Sequence, residues 1–350
     1  MKKFLAILMA LCMVLALTAC GGSTAPAPAA EPAAPAEEAP AAEPAAQPAE
    51  GKVYKVAMIC DSSISDGGWG AACYNAMVKA AESRGWEHMY TDNIDVSAYV
   101  ESITSYCALG YDMIFAPGNQ YSDAVKEVAA EFPDVCFAVL NGNEALPTDN
   151  ITSVLPNADQ IGYLAGAMAG LMSKSNVLGF IGGMELDTTK AKLAGYTAAA
   201  QAINPEIKVL SAYAGSFNDT AKGMELATSM ISEGADVFFG DASAVDSGAR
   251  QAIDNANGSG EIKIYDIGQP ADLLGQNPCV ITSVVTDNAG MLALCMEAVE
   301  NGTFGNTVVY GTLENNCLAP GKFNDELVSA ENQAKYLEFV DGIKAGTFPG

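Results

Sequence analysis

Residues 60–70 read CDSSISDGGWG and combine Asp61, Asp66, three serines including Ser62, adjacent glycines and one of only two tryptophans. Carboxylates and hydroxyls hydrogen-bond the polar edge of a small molecule, and the flat apolar face of Trp69 can stack on a ring. The segment joins an apolar run, VYKVAMI, to a helical pattern, AACYNAMVKAAESRG. A bare connection of that kind takes about two to six residues, so the extra length and the large aromatic call for a reason. The reading adopted is that the loop lines a small-molecule cleft with Trp69 as a stacking plate. The plainer alternative is a tryptophan that plugs a gap beneath the loop.

Comparable residues close other apolar runs. Asn119 lies in APGNQ, Asn141 in NGN, Phe217 in GSFND, Asp241 in GDAS and Gln269 in DIGQP. With Asp61, Ser62, Asp66 and Trp69 they form the candidate ligand-binding set. The three aspartates could also be solvated acids or helix N-caps; Asp66 is the best placed for a cap, Asp61 and Asp241 for a cleft.

Catalytic constellations are scarce. The sequence has no GxSxG elbow, no HExxH and no Cys–His pairing, and its single histidine, His88, lies in GWEHMYTD without partners for a zinc site. Gly182-Gly183 looks like part of a phosphate loop, but neither GxGxxG nor GxxxxGK[ST] is present. Paired carboxylates are the one arrangement so acidic a chain could still assemble. The chain therefore reads as a binder, not an enzyme, with no cofactor and no metal. The competing class is a hydrolase-like or host-binding surface protein, and turnover against ligand-dependent melting would separate the two.

The elements that must hold these residues alternate. VYKVAMIC, EHMYTDN, YDMIFAPG, VCFAVLNGN and ITSVLP read as strands, separated by helical patterns such as VSAYVESITSYCALG and YSDAVKEVAAEF. A second series runs from DQIGYLAGAMAGLMSKS through NVLGFIGG, TTKAKLAGYTAAAQAI, IKVLSAYAGSF, TAKGMELATSMISEG, DVFFGDAS, SGARQAIDNAN and IKIYDIG. CVITSVV, AGMLALCMEAVENG and one late strand, NTVVYGTLENNCL, complete it. The strands are continuous apolar runs without alternation, as in parallel sheets covered on both faces. The fold class expected is α/β, with two doubly wound parallel-sheet lobes. In such sheets ligands bind outside the carboxyl ends of the strands, where all the polar loops above lie.

The N-terminus sets the compartment. Lys2 and Lys3 precede FLAILMALCMVLAL, shorter than the ~20 apolar residues of a membrane span, and LTAC ends at Cys20 as a bacterial lipobox does. Residues 1–19 are read as a lipoprotein signal peptide. Residues 20–52 are read as the lipidated Cys20 followed by a disordered Pro/Ala/Glu tether that lacks the bulky apolar residues a core needs. The body then faces outside the cytoplasm, anchored to the membrane through lipid. The formal net charge of −25 repels phosphate backbones and argues against a nucleic-acid partner. Beyond Cys12 and Cys20 seven cysteines remain, an odd number with no CxxC spacing, and they are expected to be free thiols.

Several stretches, taken together, carry a family resemblance. GGWGAACYNA (67–76), YLAGAMAGLMSK (163–174), VLGFIGGM (177–184) with AGY (194–196) and NP (204–205), GSFND (215–219) and GAD (234–236) occur in order. They resemble the basic membrane protein family of substrate-binding lipoproteins of bacterial ABC importers, with the type I periplasmic-binding fold, whose characterised members are often purine-nucleoside binders. The resemblance implies two lobes joined by a three-crossing hinge, lobe I from 53–156 plus 271–306 and lobe II from 157–270 plus 307–350. It implies a small-molecule ligand, a nucleoside or purine-like compound, delivered to an ABC importer permease. Ligand sensing, host binding or a non-nucleoside ligand is the alternative. Trp69 and Phe217 match the two aromatics that sandwich the base, and Asn141 matches the acid that reads it. The aspartate and lysine that hold ribose hydroxyls in the family fall at Gln269 or Pro270 and at Thr286, none of them charged.

Overall fold

The protein is described by a computed structural model for residues 51–65 and 69–348. The signal peptide, Cys20 and all but the last residues of the tether lie outside the described residues, as do Asp66, Gly67 and Gly68.

The first series of elements is β1 (Lys55–Ile59), α1 (Trp69–Arg84), β2 (Glu87–Thr91), α2 (Tyr99–Ala108), β3 (Met113–Ala116), α3 (Ser122–Glu131), β4 (Cys136–Leu140) and β5 (Ile151–Pro156). The second runs α4 (Ala158–Met172), β6 (Val177–Gly182), α5 (Asp187–Ile203), β7 (Lys208–Tyr213), α6 (Thr220–Ser232), β8 (Val237–Asp241), α7 (Ala244–Asn257), β9 (Tyr265–Gly268) and β10 (Val280–Thr286). The chain closes with α8 (Asn288–Glu300), β11 (Val308–Gly311), β12 (Leu318–Pro320) and α9 (Ala330–Lys344).

Two six-stranded sheets result. The first has the order β11-β5-β4-β3-β1-β2 and is parallel throughout. The second has the order β12-β10-β9-β8-β6-β7 and is parallel except for β12, which runs antiparallel to β10. Every residue of β3 is buried, as expected where helices cover both faces of a sheet. The helices start and stop on local chemistry. Asn157 caps α4 by accepting the Gln160 N–H at 3.0 Å, Asp219 caps α6, and α5 stops before Asn204-Pro205 because a residue preceding proline is pushed out of the helical region.

The small residues of α4 have a packing purpose. A Cβ on Gly162 would sit 2.3 Å from the Lys192 carbonyl, and one on Gly166 2.2 Å from that of Tyr196. Glycine at these positions lets the α4 and α5 backbones touch, which fixes where α5 presents its side chains.

The expected lobe boundaries need correction near the C-terminus. Residues 271–287 do not belong to the first lobe, because β10 is hydrogen-bonded to β9 in the second sheet. The late strand is two strands. β11 adds to β5 in the first sheet, although 307–350 was assigned to the second lobe, while β12 pairs with β10. Helix α8 belongs with the first lobe, where Met291, Leu292, Cys295 and Met296 share a core with Cys73, Met77 and Ala80 of α1. The chain crosses between lobes at Asn157, at Asp287 and between β11 and β12. The crossings are tied by backbone bonds, Asn157 N–H to Gly311 O and Asp287 N–H to Cys317 O, each 2.8 Å.

None of the seven cysteines among the described residues is paired in a disulfide; six are buried and Cys136 is partly so. Burial pushes the thiols of Cys107 and Cys317 up to about 11 and those of Cys136 and Cys295 up to about 12. A thiol reacts as its thiolate. At pH 8 the folded protein is therefore expected to leave these four unlabelled by an alkylating reagent and to label them fully once unfolded. Peptide mass mapping reads this site by site, and rapid native labelling of Cys295 would contradict the burial argument.

Candidate ligand-binding cleft

The carboxyl ends of β1, β3 and β4 in one lobe and of β6, β8 and β9 in the other carry the loops that frame a cleft. Trp69, Asn119, Asn141, Leu155 and Pro156 line it from the first lobe, and Leu186, Lys192, Phe217, Asp241 and Ser243 from the second. Its volume is about 640 Å³, within the usual range of roughly 300–1,000 Å³ for small-molecule sites. A neighbouring cavity of about 650 Å³ shares Asn143, Pro156 and Asp187 and adds Glu144, Asp159 and Tyr310.

Trp69 opens α1 instead of standing on the loop before it. Its indole Nε1–H donates to the Pro117 carbonyl at 2.8 Å, and the residue is 37 % exposed. One edge is thus anchored to the end of β3 while much of the side chain stays open. Phe217, half-buried, lies against the end of β6, where a Cβ on Gly183 would come within 2.4 Å of the ring. Its carbonyl accepts the Ala244 N–H at the start of α7, at 2.9 Å. Gly183→Ala is expected to tilt the Phe217 ring and weaken ligand binding by about twofold to tenfold, the worth of one aromatic contact. The melting temperature should hardly change. Calorimetric titration against the parent checks it, and unchanged affinity would remove Phe217 from the site.

Asn141 has φ 54°, a left-handed conformation that asparagine tolerates better than most residues, and its backbone N–H bonds to Val154 O at 2.9 Å. Asn119 Oδ1 accepts from Ser122 Oγ at 3.0 Å and from Asn143 Nδ2 at 2.9 Å, while its own amide N–H groups have no partner among the described residues.

Asp61 and Ser62 are not among the residues lining the cleft. Asp61 turns to its own lobe, where Oδ2 accepts from Tyr99 Oη and Gln120 Nε2, both at 3.1 Å, and its N–H donates to Tyr121 Oη at 2.6 Å. Ser62 Oγ bonds to Asp61 Oδ1 at 3.4 Å. Burial and the Asp61 charge push the Tyr99 hydroxyl up to about 12, so it stays a donor. This cluster braces the β1 end of the cleft from behind.

Gln269 also stands behind the lining. Its Nε2 donates to the Gly240 carbonyl and, at 3.3 Å, to Asp241 Oδ1, and its Oε1 accepts from Lys192 Nζ at 3.2 Å. Lys192 Nζ lies 2.7 Å from Asp241 Oδ1, and Thr189 Oγ1 donates to Asp241 Oδ2 at 2.7 Å. Sequence reasoning did not single out Lys192 or Thr189. Both sit inside a helical pattern, and only the close packing of α4 on α5 brings them to the cleft. Pro270 and Thr286 meet each other through a 2.8 Å backbone bond and do not line either cavity.

Opposed α/β lobes with one shared cleft define a binding protein of the type I periplasmic-binding fold. A solved ABC transporter solute-binding protein from Conexibacter woesei superposes with a TM-score of 0.69 at 24% identity, covering 85% of this chain and 98% of that one. The chain belongs to the family described as ABC transporter substrate-binding protein PnrA-like, which it matches over residues 53–337. It is 28% identical to the ABC transporter nucleoside-binding protein BmpA of Lactococcus lactis, over 74% of this chain and 78% of that protein. It is 29% identical to basic membrane protein A of Borreliella afzelii, over 76% and 82%. Members of this family bind solutes for ABC transporters and are not enzymes. Among the described residues no helix is long and apolar enough to cross a membrane.

Proposed function

We propose that the protein captures a nucleoside or purine-like compound between its lobes and passes it to an ABC importer permease. It would do so from the outer face of the membrane, held there by lipid on Cys20. The observation that carries the reading is the pair of aromatic side chains, Trp69 and Phe217, that line one cleft from different lobes. Flat rings suit flat ligands, and the neutral amides of Asn119 and Asn141 offer both donors and acceptors to the edge of a heterocycle. The nucleoside-binding relative from Lactococcus lactis supports the ligand class.

A ligand held by both lobes favours their closed arrangement. Adenosine or guanosine is therefore expected to raise the melting temperature and to reduce the radius of gyration measured by small-angle scattering. Mass spectrometry of small molecules released from the purified protein identifies a retained ligand directly. If no purine nucleoside or base shifts the melting temperature, and the released compounds lack a flat ring, the reading fails.

A further inference from the structure

Resting on the proposed nucleoside-like ligand, we infer that Asp246, a buried carboxyl behind the cleft, is a positioning residue whose proton sets how tightly the cleft holds its ligand. Asp246 lines neither cavity. It acts through the segment from Asp241 to Ala244 that joins β8 to α7. Its Oδ2 accepts the Ala242 N–H at 3.0 Å, and the residues on either side of Ala242, Asp241 and Ser243, both line the cleft. The same segment is tied to the end of β6 and to Phe217. The Asp241 carbonyl accepts the Gly183 N–H, and the Ala244 N–H donates to the Phe217 carbonyl, each at 2.9 Å. Ser243 sits at φ 55°, a region that favours glycine, so the segment depends on these bonds to keep its shape.

The carboxyl is poorly provided for. Its Oδ1 has no partner. Arg250, one turn further along α7, gives its Nε–H to Asp266 of β9 at 2.7 Å instead. Asp266 and Asp241 act on Asp246 with like charge, Asp241 being itself paired with Lys192 Nζ at 2.7 Å. Helix α6 packs on α7 through Thr220 and Gly223, against Gly248 and Val245. Burial, reinforced by Asp266, pushes the carboxyl up to about 7. The ionised form is therefore a buried charge with an unfilled acceptor, and it gains from any water that reaches the segment. When the lobes close on a ligand they cover Asp241 and Ser243, exclude that water and strengthen the repulsion from Asp241. The liganded protein then holds the proton more tightly than the free protein. Binding takes up a proton, so affinity is highest below about pH 7 and falls as pH rises through that value. The single histidine, His88, is on β2 at the edge of the first sheet and lines neither cavity.

The test is calorimetric titration with adenosine from pH 5.5 to pH 8.5, in paired buffers of different ionisation enthalpy so that proton uptake is counted directly. The Kd of the parent is expected to rise about threefold to tenfold across the range, the effect of about half to one pKa unit between the free and liganded forms. Proton uptake should accompany binding near pH 7.5. Asp246→Asn keeps the acceptor for the Ala242 N–H and has no proton to exchange, so its Kd should stay near the parent's acidic value at every pH. Asp246→Ala should also be independent of pH but about twofold to tenfold weaker than Asp246→Asn, because the Ala242 N–H loses its acceptor. Proton uptake is read on the parent chain, so a variant that fails to fold leaves the answer intact. A parent Kd that does not change with pH, or the same pH profile in Asp246→Asn, would overturn the role of Asp246 while leaving the stacking cleft standing. If adenosine binds at no pH, the nucleoside reading itself falls and this inference with it.

Discussion

Trp69→Ala is expected to lower the affinity for adenosine by about tenfold to a hundredfold or more, the worth of roughly 1–3 kcal/mol for one base–aromatic stack. Stability should suffer far less. The residue is more than a third exposed, and its one hydrogen bond, from Nε1 to the Pro117 carbonyl, contributes about 0.5–1.5 kcal/mol. A tryptophan that plugged a core would cost about 3–5 kcal/mol on truncation. Melting temperature and titration on the same variant separate the two roles. Trp69→Phe adds a second reading, because it keeps a ring while deleting the bond to Pro117; it should recover most of the affinity. A large fall in melting temperature with unchanged affinity per folded molecule would make Trp69 a structural plug.

Asp246→Asn is expected to stabilise the protein above neutral pH by about 1–3 kcal/mol. Asp246 lies in the first turn of α7, buried, with Oδ2 accepting the Ala242 N–H at 3.0 Å and Oδ1 without a partner. Oδ1 presses on the backbone of β8, where a Cβ on Gly240 would lie 1.9 Å away. Burial, reinforced by the charge of Asp266, pushes the carboxyl up to about 7, against the opposing effect of the Ala242 N–H and Arg250. The folded state then keeps a proton that the unfolded chain releases near pH 4. Between those values the native state binds more protons, so this group's contribution to stability declines as pH rises from about 4 to about 7 and is flat beyond. At roughly 1.4 kcal/mol per pKa unit the decline has a ceiling near 4 kcal/mol, and the amide's own buried N–H groups offset part of the gain. Calorimetric melting at pH 5 and pH 8 tests it. The variant should gain on the parent at pH 8 and not at pH 5, and an equal loss at both would mean that Asp246 holds its place by a bond asparagine cannot make.

Much of the architecture was legible because apolar runs without alternation imply covered parallel sheets, and such sheets put ligands at their strand ends. That logic reaches Trp69, Asn119, Asn141, Phe217 and Asp241, all of which line the cleft. It also reaches Asp61 and Ser62, which obey the same rule locally, but Asp61 is claimed by Tyr99 and Tyr121 and Ser62 bonds to Asp61. No local pattern says which of two aspartates on similar loops meets a tyrosine partner. Lys192 was illegible for the opposite reason. Its neighbours read as an ordinary helix, and its reach depends on glycines that lie some thirty residues earlier in α4. The stretch from 306 to 318 misled because one apolar run feeds two sheets, and periodicity records burial without recording which sheet provides it. Helix α9 carries a start signal in Ser329 and buried positions at Tyr336, Val340 and Ile343, yet strand–helix alternation gave the tail no place.

The three crossings also decide when this chain can fold as it is made. A polypeptide emerging from its N-terminus delivers β1 to β5 early, but the face of α1 carrying Cys73 and Met77 has no cover until α8 arrives, and β5 stays an open edge until β11 does. The second lobe waits in turn for β12 beside β10 and for Tyr336 of α9 in its core. Neither lobe is complete until the last quarter of the chain has been released. A fragment ending at Pro156 would thus be an unfinished sheet with an apolar flank rather than a separable half, and any export route that handles this protein unfolded has nearly its whole length in which to do so.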